Sequence, residues 1–482
     1  MNHLSSSKKF SRRDFLRMAG LAAGATALAA SGACSPAAPA APAAPAAPAA
    51  TTAPGATSAP AAVQPTQAPP AAGMVDLLYW DNNAFEFYQK PWDPKFTELI
   101  KNKIPNAKLS IVHAQDGDKF LTAINAGTPP DVFFTWDQSG KVGSWITSGL
   151  LLPIDDMMAV SNISKDDFPN GMLDQSAYGG KIYGIPMLAD AFQLWYRPDL
   201  MQAAGLSEPP KTIEDYWAYG EKLSTKSADG KITRMGAELP SGWDMLSWCV
   251  SFGGKIWDPE TKQVTPDDPG TVAAWEDIAA QWKKYGPDAI DSFTASLGAG
   301  FTAEDPFLKD KFAMKSDAEW NADIIRSNMP DWKRGVNFEV GHHPYPASKP
   351  ELANQVDLET YPVVIPYNAK QKDLGWQAIA AMNDTEFTVW WSLLLVNLPQ
   401  TKKALADPRI QAIAGLDINA KILLEEHGNF RPFFPAMPIG AEYQDAFNRE
   451  FDLVVHQKKT AQEALSGLKT ELQPQLDEKL KS

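Results

Sequence analysis

Two short stretches of this 482-residue chain place a tryptophan beside hydrogen-bonding side chains: Trp80-Asp81-Asn82 and Trp136-Asp137-Gln138. An indole covers the C–H face of a sugar or polyol while a neighbouring carboxylate or amide bonds its hydroxyls, so the repeated pair suits such a guest. Taken singly, each tryptophan is better explained by core packing; the recurrence at equivalent positions is what brings binding into play. Other chemistry finds less support. His342-His343 are adjacent in a Gly/Pro-rich segment without His-Glu-x-x-His spacing, which predicts an exposed loop and no metal site. His113 and His427 stand alone, and Gly253-Gly254 lacks the strand and helix of a phosphate loop. Acidic side chains are plentiful, but sequence alone places no two of them at the separation that glycoside hydrolysis needs.

A strand–helix alternation makes the two tryptophan positions equivalent. VDLLYW (75–80), KLSIVHA (108–114) and DVFFTW (131–136) read as strands. Between them run a helix toward Lys101 and a second helix, capped by Asp116 or Asp118, that carries Phe120, Leu121 and Ile124 and stops at Gly127. Strands so connected are parallel with right-handed crossovers, and ligands settle at their carboxyl ends, where both tryptophan motifs fall. Further on, KIYGIP predicts a strand and a Gly-Pro turn, and AFQLWYR (191–197) a strand passing from one lobe to another. Residues 209–224 predict a helix capped by Thr212, and residues 271–286 an amphipathic helix burying Trp275, Ile278, Ala279 and Trp282. KFAMKSDAEWNADI (311–324) predicts a strand running into a helix with Trp320 in its first turns, where an aromatic face and a helix N-terminus can meet a ligand together.

Lys8, Lys9, Arg12, Arg13 and Arg17 precede an uncharged, Ala/Gly-rich run over residues 18–33, too short and too weakly apolar for a lasting membrane span and arranged as an export signal. SRRDFLR (11–17) resembles the twin-arginine signal, and Cys34 after Ser31-Gly32-Ala33 resembles a lipobox, which implies a diacylglycerol on that thiol. Residues 35–73 hold eighteen alanines, ten prolines and no charge, the composition of a semi-extended tether. The body beyond is too long for one core, so two lobes are expected. Beyond residue 33 the chain has 39 basic against 57 acidic side chains, a balance that repels nucleic acid. The only other cysteine, Cys249, lies in Trp248-Cys249-Val250 and reads as a buried small hydrophobe.

With these elements in place the chain resembles the extracellular solute-binding proteins, family 1, of bacterial ABC importers. The resemblance is carried by AGTPPDVFFTWDQSGKVGSWITSGLLLPIDD (126–156), by the tract 178–223, by FAMKSDAEW (312–320), by RPFFPAMP (431–438) and by AQEALSGLKTEL (461–472). It implies an α/β, two-lobed periplasmic-binding-protein-like fold of type II, with mixed sheets flanked by helices and lobes joined by crossover strands. The implied layout is an export signal over 1–33, lipidated cysteine and tether over 34–73, a first lobe over 74–187, mostly second lobe over 188–325, and segments returning to both lobes over 326–482. Implied ligand contacts are Trp80, Asp81, Asn82, Trp136, Asp137, Asp190, Trp243, Asp244, Trp320 and Arg431. Residues 340–400 do not match the family pattern cleanly, so contacts from that tract stay unassigned.

The function so implied is capture of a sugar or related polyol in a cleft between the lobes, without covalent chemistry or cofactor, and delivery to the permease subunits of an ABC importer. The chain is then expected to be a monomer on the outer face of the cell membrane, anchored by lipid on Cys34. An exported glycoside hydrolase or other carbohydrate-active enzyme is the alternative, separable by release of a smaller sugar on prolonged incubation.

Overall fold

The computed structural model describes residues 73–481 except 137–139, 241, 243, 426–429, 433 and 435. The predicted export signal, Cys34 and the tether therefore lie outside the described residues. The first three strands, β1 (Val75–Asp81), β2 (Ala107–Val112) and β3 (Val132–Phe134), are parallel in the order β3-β1-β2. The helix Gly117–Asn125 between β2 and β3 is capped by Asp116, whose carboxylate accepts from Lys119 N at 2.9 Å. The third strand is shorter than its sequence suggests, because pairing stops at Phe134 and leaves Trp136 in the following loop.

The remaining main strands are β4 (Gly184–Ala191), β5 (Gln193–Tyr196), β6 (Thr225–Lys226), β7 (Ile232–Ala237), β8 (Phe312–Asp317), β9 (Glu339–Gly341), β10 (Val356–Val364), β11 (Leu398–Pro399) and β12 (Phe430–Pro432). They build two mixed sheets. One has the order β11-β4-β10-β3-β1-β2 with β12 beside the start of β10; the other has the order β9-β5-β8-β7-β6. The chain crosses between sheets at Phe192, the single residue between β4 and β5, and crosses back between β9 and β10. These are the two lobes and their crossover strands.

Each lobe has its own core. Beside the first sheet Trp92 packs on Phe96 at 5.0 Å and on Trp391 at 4.5 Å. Beside the second, Trp275 meets the edges of Phe447 and Phe451 at 4.8 and 5.2 Å, and Trp275, Ile278 and Trp282 are buried along the helix Pro269–Tyr285. Thr212 caps the helix Ile213–Leu223 through Asp215 N at 3.1 Å. Cys249 is buried within the second core.

Two local expectations give way. The turn near KIYGIP falls at Gly179-Gly180, both at positive φ, inside a small hairpin. Pro186 instead lies within β4, directly opposite Pro362 of β10, where the register shifts. Two residues without N–H face each other at a bulge, where no ladder bond is forfeited. His343 is buried, not exposed: Nε2 lies 2.6 Å from Ser316 Oγ and Nδ1 2.8 Å from Ser251 Oγ, with the ring edge-on to Trp248. Burial lowers its pKa to about 4, so it is a neutral tie within the second lobe.

Candidate functional site

Strand polarity puts the loops after β1 and β3 on one rim of the first sheet. Asn82 Oδ1 accepts from Trp136 N at 2.8 Å, so the two tryptophan motifs are held together by one hydrogen bond. Trp136 stands edge-on to Phe134 at 4.9 Å and to Tyr361 of β10 at 4.6 Å. The Tyr361 hydroxyl donates to Asp190 Oδ2, and Asn397 Nδ2 donates to Asp190 Oδ1. A continuous path thus runs from Asn82 through Trp136 and Tyr361 to Asp190, two residues before the crossing at Phe192.

Asp81 and Asp190 are anchors within this path. Asp81 is 2 % exposed and accepts from His113 Nδ1 at 2.9 Å and from Asn83 N at 3.0 Å; His113 Nε2 in turn meets Asp93 Oδ1 at 2.9 Å. With a carboxylate on each ring nitrogen, the bond to Asp81 raises His113 above the usual histidine range. Asp190 is 1 % exposed, and loss of water raises it to about 7 despite its two donors. Trp80 packs against the cluster of Phe120, Phe133 and Trp145, its Nε1 buried without a hydrogen bond.

On the second lobe Trp320 precedes the helix Asn321–Asn328, as its N-cap, and packs on both cores, edge-on to Phe192 at 6.1 Å and tilted toward Phe301 at 6.2 Å. Asp244 is the first residue of the helix Asp244–Ser251. Beside it lie Glu238, just past β7, and the ion pair Lys315–Asp317 at 2.7 Å on β8. Loss of water is the first cause that lifts Asp244 to about 8, the Asp317 charge the second, while Lys315 opposes both. Asp137 and Trp243 lie outside the described residues, and Arg431 is placed only by its strand position opposite Asp357.

Several residues of this region carried no signal in the sequence reading. Tyr361, Asn397 and Glu319 gather around the crossing, where Glu319 accepts from Ala191 N at 3.2 Å and from Asn419 Nδ2 at 2.7 Å. A visible clue was the run Ala84-Phe85-Glu86-Phe87-Tyr88 after the first tryptophan motif. Phe85 and Phe87 are 60 % and 55 % exposed and 5.4 Å apart, and the Tyr88 hydroxyl feels the charges of Asp323 and Asp190. Phe301 is 62 % exposed at φ 59°, a left-handed conformation that a bulky side chain rarely adopts.

A cavity of about 660 Å³ lies elsewhere, between the Tyr178–Gly180 turn and residues such as Val250, Lys255 and Trp257; none of the sequence-predicted site residues line it. Among the described residues no group of three or more His, Cys, Asp or Glu side chains is placed to hold a metal ion.

Residues 95–416 match the family model described as bacterial extracellular solute-binding protein. The chain is 27 % identical over 245 residues to the alpha-glucosides-binding periplasmic protein AglE of Rhizobium meliloti, a stretch covering 48 % of this chain and 52 % of AglE. It is 24 % identical over 356 residues to a maltooligosaccharide ABC transporter solute-binding lipoprotein of Streptococcus pneumoniae, covering 71 % and 76 % of the two chains. The chain thus spans about half the length of AglE and more of the second relative. Among solved structures, that of CpMnBP1 with mannotriose bound is similar with a TM-score of 0.70 at 23 % identity, covering 83 % of this chain and 100 % of CpMnBP1, which establishes the shared fold.

Proposed function

Because the chain belongs to the bacterial extracellular solute-binding proteins, we propose that it is the extracytoplasmic capture component of an ABC importer, closing two lobes on a sugar or related polyol. The observation that carries this reading is the path from Asn82 and Trp136 through Tyr361 to Asp190. A guest seated on Trp136 touches a chain of contacts that ends at the crossing segment, so occupancy and lobe angle are coupled. Trp136, Phe301 and Trp320 supply ring faces; Asn82, Asp137, Trp243, Asp244 and Arg431 supply the remaining contacts. Trp80, Asp81 and Asp190 act from behind by holding these groups in place.

A saccharide guest is supported by the relatives, whose names specify alpha-glucosides, maltooligosaccharide and mannotriose. A guest that contacts both lobes favours the closed state, whereas one bound equally by open and closed forms shifts nothing. The closed form is the one the permease recognises. The amino-terminal segment delivers the folded body through a twin-arginine route and leaves it tethered by lipid on Cys34. Intact-mass measurement of membrane-extracted protein checks the last point: a diacylglyceryl adduct at Cys34 is expected, and an unmodified thiol contradicts it. Calorimetric titration against a saccharide panel tests the capture reading. One tight guest is expected, with Trp136→Ala weakening it beyond the tenfold that about 1.4 kcal/mol represents. Steady cleavage of that guest contradicts the reading and points to a hydrolase.

A further inference from the structure

We propose that Phe85 and Phe87 form an outer ring platform for the guest, so that the saccharide captured is an oligomer whose inner unit lies on Trp136 and whose outer units run over these two phenylalanines. This rests on the solute-binding reading and narrows it to chain length. Both rings are more than half exposed and 5.4 Å apart, and they stand where the chain leaves the rim of the first sheet for the helix Glu86–Lys103. Tyr88, 3.9 Å from Phe87 and edge-on to Phe85 at 6.1 Å, is the member of the group that packs on the first core. A single exposed apolar side chain needs no explanation, but adjoining aromatic rings kept in solvent mark a binding surface.

Hydrogen bonds hold this pair in step with Trp136. Two adjacent asparagines do so: Asn82 Oδ1 accepts from Trp136 N at 2.8 Å, and Asn83 Oδ1 accepts from Phe85 N at 3.1 Å. Asn83 is buried and fixed in turn, its N donating to Asp81 Oδ1 at 3.0 Å and its O accepting from Gln89 Nε2 at 2.8 Å. The residues from Asn82 to Phe85 span at most about 11 Å, roughly the length of a disaccharide. Units added to a sugar on Trp136 therefore reach the phenylalanines. The polar groups among the rings say what covers them. Glu86 stands between the two phenylalanines in sequence, and its carboxylate meets Lys90 Nζ at 3.0 Å in open solvent, so ring faces alternate with an acceptor and a donor. That mixture fits the C–H faces and hydroxyls of a sugar. An acyl chain would press hydrocarbon on the ion pair, and the acidic body repels anionic lipid.

The test is calorimetric titration of the exported chain with gluco- and manno-oligosaccharides of two to five units. In the series that binds, affinity should rise beyond the disaccharide. Phe85→Ala combined with Phe87→Ala should cost about tenfold for the longest guest and stay within about twofold for the shortest, flattening the rise. Phe85→Tyr combined with Phe87→Tyr should restore the rise, since the ring faces return. Both pairs of changes fall on exposed side chains, and an unmoved thermal midpoint confirms that each variant folds. A length dependence that survives loss of both rings, or an equal loss at every length, overturns the platform while leaving solute capture intact. Failure of every saccharide to bind the parent chain overturns both.

Discussion

Gly140 and Gly440 meet backbone to backbone: a Cβ built on either would fall inside the main chain of the other. Gly140 opens the helix Lys141–Thr147 on the first lobe, and Gly440 opens the helix Gly440–Val455, whose Tyr443 and Phe447 belong to the second core. One turn on, a Cβ at Gly143 would enter the backbone of Met437, and Ser144 Oγ donates to Pro438 O at 3.0 Å. The lobes touch here with no side chain between them.

Gly440→Ala must therefore push this contact apart, at a cost of about 1–3 kcal/mol typical of overpacking. Gly467 is the internal comparison: it lies exposed within the helix Ala461–Lys479, with nothing inside 4 Å of an added Cβ. Gly467→Ala should stabilise by about 0.4–1 kcal/mol. Urea unfolding of both variants checks the pair; a Gly440→Ala chain as stable as the parent contradicts the close contact.

Phe301 holds an exposed ring in left-handed backbone. Phe301→Gly should relieve strain of order 1–2 kcal/mol and raise the unfolding midpoint. The same change removes a ring beside Trp320, so guest affinity should fall about tenfold, the size of one lost stacking partner. Calorimetry and thermal unfolding on one preparation separate the two effects. Strain retained for binding predicts opposite signs; a loss in both quantities assigns Phe301 to packing.

The pair Asp81–His113 gives a pH signature. Its bond to Asp81 raises His113, so the folded chain holds a proton that the unfolded chain releases near 6.5. That contribution is complete below the unfolded value and disappears as pH rises through the folded one. His113→Gln should then lose more stability near pH 5.5 than near pH 9. Equal losses at both ends would mean that folding leaves the imidazole's proton affinity unchanged, contradicting the raised value.

Asp190 lies directly opposite Glu359 on the neighbouring strand, and Glu319, raised by burial and then by the Asp190 charge, stands close by. Raised to about 7, Asp190 keeps a proton that the unfolded chain gives up near 4. Its stabilisation is present in acid and fades as pH climbs through about 7. Asp190→Asn should flatten the fall in stability between about pH 5 and pH 8. An unchanged slope contradicts the buried proton.

Much of the fold was legible because strands and their helices leave local marks: a cap at Asp116 in the first lobe and at Thr212 in the second, apolar runs, and glycine stops. The same marks placed Trp80 and Trp136 near strand ends. They could not say that Asp81 would be taken up by His113, because that pair is separated by 32 positions and joined only by the pairing of β1 with β2. His113, isolated in sequence, acquires its partners from the sheet. Tyr361 and Asn397 stayed invisible for a related reason: their bonds to Asp190 span 171 and 207 residues and depend on strand order. His343 was misjudged from its Gly/Pro-rich surroundings, since only the packing of Ser251 and Ser316 around it makes burial affordable.

In the proposed cycle two lobes shut on a saccharide and reopen without changing it. Small-angle scattering of the exported chain, with and without its tightest calorimetric guest, tests this most directly. The expected result is a smaller radius of gyration on saturation, reversed on dialysis, with the guest recovered intact. A scattering curve indifferent to a tightly bound guest would contradict it.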